Sequence, residues 1–80
     1  MNALRKELDM KYTLVGVDGN AFAIMGYTAR ALRREGLKDL VEPMHKEAMA
    51  GDYYNLIAVC DKYVQKANEA AGDTEEDEEY

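Results

Sequence analysis

The apolar positions along this chain change their period near residue 18. Upstream, residues 11–17 read KYTLVGV, a run of aromatic and β-branched side chains that predicts a strand. Tyr12 and Leu14 fall on one face of it and Thr13, Val15 and Val17 on the other, so both faces are apolar enough to be covered. Downstream of Asn20 the period becomes helical. Phe22, Met25, Ala29 and Leu32 recur at offsets of three, four and three, flanked by Ala21, Ile24, Thr28 and Ala31, while Tyr27, Arg30 and Arg34 follow the opposite side.

Asp18-Gly19 at the junction admits two readings. Between two strands it is the dipeptide of a type I′ hairpin turn, and residues 12–25 would then pair as a hairpin ahead of the helices. Against that, the second strand would be NAFAIM, which is poor in strand formers and runs into Gly26. The helix is the preferred reading, with Asp18 or Asn20 capping its first turn and Gly36 stopping it after Arg33 and Arg34. Gly26 costs such a helix about 1 kcal/mol relative to Ala, and predicts the close approach of a neighbouring backbone.

The helical pattern then restarts twice. Leu37, Leu40, Val41, Met44 and Ala48 mark a second helix with Pro43 in its first turn, and Asp39 with Glu42 resembles a capping box. Asp52 caps a third, along which Tyr53, Leu56, Ile57, Cys60, Tyr63, Val64 and Ala67 trace a regular stripe. The predicted fold is α+β and mostly helical: one short strand at 11–17, then three amphipathic helices at 19–35, 39–50 and 52–68. Residues 1–9 form an N-terminal extension whose Leu4 and Leu8 suit a short helix. Residues 10–70 make a single small globular domain.

The remaining segment, 71–80, has no apolar period and is predicted to be a disordered acidic tail. Six of the sixteen acidic residues lie in it, so the ten others balance the ten Lys and Arg. The net charge of −6 therefore belongs to an appendage on a neutral body. Apolar residues make up 48% of the chain, enough for a small packed core. A single cysteine excludes an internal disulfide framework and multi-cysteine metal sites. No run approaches the roughly 20 apolar residues of a membrane span, and the N-terminus lacks the apolar core of a signal peptide. A cytoplasmic protein is expected, with no membrane association.

The run VDGNAFAIMG, with the later AGDYYNLIAVCDKYV, resembles a group of short uncharacterised proteins of bacterial and prophage-bearing genomes. In that group a D-G-N-A-F element precedes a helix and a G-D-Y element opens the last one. The resemblance covers about residues 10–65 and implies the helical reading of Asp18-Gly19. It implies no activity.

Candidate chemistry is sparse. Gly16 to Asn20 lie between the predicted strand and helix, where backbone N–H groups receive phosphates in other proteins. Neither a dinucleotide fingerprint nor a P-loop is present, and Asp18 would repel an anion, so turn and cap chemistry accounts for these residues. His45 is the only histidine and the chain has no serine. Cys60 lies on an apolar stripe, as a buried structural thiol does. These residues identify no catalytic, cofactor or metal site. The candidate interaction surface consists of the basic cluster Arg30, Arg33, Arg34 and Lys38 with Tyr27 and Tyr54, since Tyr is enriched in interfaces.

The function these features favour is a small non-enzymatic interaction or regulatory module with an unidentified protein partner and no cofactor. One alternative is a phage-associated regulator whose acidic tail acts as a polyanion mimic on a nucleic-acid-binding machine. Another is a nucleotide- or phosphate-binding domain built on Gly16–Asn20. Four cations on a neutral body are a weak footprint for direct nucleic-acid binding. A lone strand at 11–17 leaves backbone groups unpaired, which predicts a homodimer paired through that strand.

Overall fold

Asn20 decides how the chain leaves Asp18-Gly19. In the computed structural model, which describes residues 10–72, its extended backbone and its side-chain oxygen cap α1 (Ala21–Arg34), accepting from the Ala23 N–H at 2.9 Å. Asp18 acts one step earlier, its carboxylate accepting from the Asn20 N–H at 3.1 Å to turn the chain into the cap. The junction is a helix start, and the alternative hairpin at 12–25 does not form.

The far end of α1 closes as the glycine predicts. Gly36 adopts a φ of 78°, its N–H bonds the Arg33 carbonyl, and the Leu37 N–H bonds the Leu32 carbonyl. This Schellman pairing folds Leu37 back against the core. The chain then makes a 3₁₀ turn at Lys38–Leu40 before α2 (Val41–Ala48). The capping box expected at Asp39 and Glu42 is not made, because the tight turn places Leu40, which has no side-chain acceptor, at the cap. Pro43 sits in the first turn of α2, where its missing N–H costs nothing. Asp52 caps α3 (Tyr53–Ala70) by accepting from the Asn55 N–H at 3.0 Å.

Long-range contacts of two tyrosines set the direction of the helices. The Tyr53 hydroxyl donates to the Gly19 carbonyl, which brings the starts of α1 and α3 together. Tyr12 bonds both Glu35, just past α1, and Asn68, in the last turns of α3. The two helices therefore run parallel, and α2 returns between their ends as the middle member of a three-helix bundle. The core between them holds Met25, Leu32, Met44, Leu56, Cys60 and Val64, with Ile57 partly buried at its edge. Phe22, which the helical period assigns to the apolar face, is instead 83% exposed. It stands in the first turn of α1, where Ala21 rather than Phe22 packs against the core.

Residues 11–17 are not a strand, and no strand occurs among the described residues. The fold is helical rather than α+β. The physical reason lies in how this strap satisfies its backbone. Asn68, 1% exposed, accepts from the Tyr12 N–H and donates to the Tyr12 carbonyl, both at 2.8 Å. One buried amide thus supplies both bonds that a neighbouring strand would have supplied. The Thr13 N–H donates to the Tyr27 hydroxyl at 2.9 Å and the Val15 N–H to the Thr13 hydroxyl at 3.1 Å. A turn closes from the Val17 N–H to the Leu14 carbonyl, with Gly16 at a φ of 86° in the position a type II turn reserves for glycine. These bonds remove the ground for a dimer paired through 11–17. The predicted N-terminal extension and all but the first two residues of the predicted tail lie outside the described residues.

Candidate functional site

The two ends of the bundle carry different chemistry. At the end where α1 and α3 start, large apolar side chains face solvent. Phe22 is joined there by Tyr54, 81% exposed, Met49, 68% exposed, and Tyr53, 45% exposed. Tyr53 and Tyr54 meet edge to face with ring centroids 6.2 Å apart. The hydroxyl bond to Gly19 fixes Tyr53, and with it the spacing between the first turns of α1 and α3. Met49 belongs to the short link between α2 and α3. That link is held by Asn55, whose side-chain amide donates to the Glu47 carbonyl at 2.9 Å.

The other end and the waist of the bundle hold two polar clasps built on one pattern. In each, a Lys-Tyr pair grips a glutamate near a helix C-terminus. Lys11 lies 3.0 Å from Glu35, and the Tyr12 hydroxyl donates to the same carboxylate oxygen at 2.5 Å. Lys62 lies 2.8 Å from Glu47, and the Tyr63 hydroxyl donates to its other oxygen at 2.9 Å. A carboxylate at the negative end of a helix dipole is unfavourable alone, and the lysine offsets it. Each ammonium also sits over its neighbouring ring, at 5.6 Å for Tyr12 and 5.2 Å for Tyr63.

These contacts shift the titration of both clasps. The Tyr12 hydroxyl bond and then Lys11 hold Glu35 below the ordinary carboxyl value. Lys62 and then the Tyr63 hydroxyl do the same for Glu47. Burial, and next the glutamate beside each, pushes Tyr12 and Tyr63 up, and Glu47 raises Lys62. Cys60 is fully buried; burial pushes its thiol up, away from the thiolate a nucleophile needs. His45 stands exposed on α2, in an open depression shared with Arg33, Lys38, Asp39, Val41 and Glu42. Among the described residues no group of three His, Cys, Asp or Glu is placed to hold a metal ion, and no helix is long and apolar enough to cross a membrane.

The structure separates the residues the sequence grouped as one surface. Arg30, Arg33, Arg34 and Lys38 are exposed around the C-terminal end of α1. Tyr54 is at the opposite end of the bundle. Tyr27 is half-buried under the strap, its hydroxyl taken by Thr13 and its ring packed edge to face on Tyr12 at 6.5 Å. At the Gly16–Asn20 junction the N–H groups of Val17 and Asn20 are taken within the loop, and that of Ala23 by the cap. Phe22, Tyr53 and Met49 escaped sequence reasoning, which placed the first two in the core. The available signal was position: Phe22 and Tyr53 lie in the first turns of their helices, where a periodic stripe outruns its neighbours. Comparison with protein-family models, with curated proteins and with solved structures finds no match for this chain.

Proposed function

We propose that this chain is a small non-enzymatic interaction module that engages a protein partner through the aromatic end of its bundle. The observation that carries this reading is the exposure of Phe22 and Tyr54 beside Met49 and Tyr53. Aromatic side chains and methionine are the residue types enriched at interface cores, and clustered ones dominate binding energy. The Tyr53 hydroxyl bond to Gly19 supports it further, because an anchored ring loses less freedom on binding. The setting is cytoplasmic, among short bacterial and prophage proteins of the kind the D-G-N-A-F and G-D-Y elements resemble.

The test is affinity capture from host lysate with the wild-type chain and with a Phe22→Ser, Tyr54→Ser variant. The expected result is a protein retained by the wild type and lost from the variant while its unfolding midpoint is unchanged. The same captured set from both chains would overturn the reading.

A further inference from the structure

The end of the bundle opposite the aromatic side chains is basic. Arg30, Arg33 and Arg34 follow a three-four spacing on α1, so they share one exposed side, and Lys38 follows on the 3₁₀ turn. None of the four makes an ion pair among the described residues, whose two pairs belong to the glutamate clasps. The parallel course of α1 and α3 brings the C-terminus of α3 to this same end. Arg34 adjoins Glu35, whose carboxylate accepts from the Tyr12 hydroxyl, and Tyr12 is held in turn by Asn68. Asn68 precedes Gly72 by four residues, roughly 6 Å of helix rise.

Beyond Gly72 the sequence runs DTEEDEEY, with six carboxylates in the seven residues from Asp73 to Glu79. Gly72, at a φ of 88°, turns the chain out of the helix direction as it leaves α3. Eight further residues reach at most roughly 26–29 Å, enough to cross the end of a small bundle. We propose that residues 73–79 dock in cis on Arg30, Arg33, Arg34 and Lys38, making the acidic segment the chain's own occupant of its basic face. An exposed ion pair is weak and screened, but tethering raises the local concentration of the partner to the millimolar range. Asp39 and Glu42 border Lys38 and Arg33 in the adjoining depression and limit the face on that side. Docking therefore centres on the three arginines. An acidic peptide or another polyanion reaching this face must displace the segment, so its charge sets a threshold for binding.

The experiment compares the full chain with a full-length variant carrying Asp73→Asn, Glu75→Gln, Glu76→Gln, Asp77→Asn, Glu78→Gln and Glu79→Gln. Backbone and arginine Nε resonances of residues 30–38 are followed at about 10 mM and about 300 mM salt, where the screening length falls several-fold. In the wild type these signals should move with salt toward the positions they hold in the neutral variant, independently of protein concentration. A polyglutamate peptide should bind the neutral variant about twofold or more tighter than the wild type, because no cis competitor remains. Superimposable spectra of the two chains at low salt would overturn the proposal. So would equal affinity for polyglutamate, and a dependence on protein concentration would place the acidic segment on a second copy instead.

Discussion

At the scale of single residues, Asn68 has the largest consequence for its size. Its amide replaces a missing strand by bonding both the N–H and the carbonyl of Tyr12 in a buried site. Asn68→Ala would leave two buried backbone groups without partners, each costing about 1–3 kcal/mol. The variant should lose about 2–5 kcal/mol in urea unfolding, and the Tyr12 amide should exchange with solvent far faster than in the wild type. An unchanged Tyr12 amide would show that the strap is held by other contacts. Phe22 and Leu56 make a contrasting pair, one 83% and the other 7% exposed. Leu56→Ala should cost about 2–5 kcal/mol, as buried leucines do. Phe22→Ser should stay within roughly half a kcal/mol, since it exposes nothing new.

At the scale of elements, two glycines answer oppositely to one added methyl group. A Cβ on Gly26 would meet only the tip of Arg30, at an ordinary 3.5 Å, so the close backbone approach expected there is absent. Gly26→Ala should therefore stabilise α1 by up to about 1 kcal/mol through helix propensity, read as a higher unfolding midpoint. A Cβ on Gly51 would stand 2.8 Å from the Cβ of Asn55, the residue that ties α3 to the end of α2. Gly51→Ala should destabilise by about 1–3 kcal/mol as Asn55 is pushed off its carbonyls. The ends of α1 and the start of α3 were legible because caps and Schellman stops are made by neighbours in sequence. The start of α2 was not. Its 3₁₀ turn is closed by backbone bonds alone, while Asp39 and Glu42 offered a local signal the chain does not use.

At the scale of the whole molecule, the paired clasps couple the bundle to pH at both extremes. Glu35 and Glu47 titrate below 4.5 in the folded chain, so their contribution is complete above that value and is lost as pH falls through the folded pKa. Tyr12 and Tyr63 are raised above 10.0 and Lys62 above 10.5, so their contribution is present below those values and lost as pH climbs past the folded ones. A Glu35→Gln, Glu47→Gln variant should show a flatter fall in unfolding midpoint between neutral and strongly acidic pH. Glu35 should account for more of the change than Glu47, its side chain being 12% exposed against 43%. The chain's periodicity was enough to determine three amphipathic helices and to favour a helix start over a hairpin at Asp18-Gly19, because both depend on contacts within a few residues. Which of Asp18 and Asn20 caps that helix was settled by the structure. Residues 11–17 carry genuine strand propensity, but a strand needs a partner, and Asn68 bonds Tyr12 from 56 positions away. That choice, the partial burial of Tyr27 and the exposure of Phe22 were decided only by the tertiary structure. Each depends on which side chain a distant element brings near, and a periodic pattern carries no record of that.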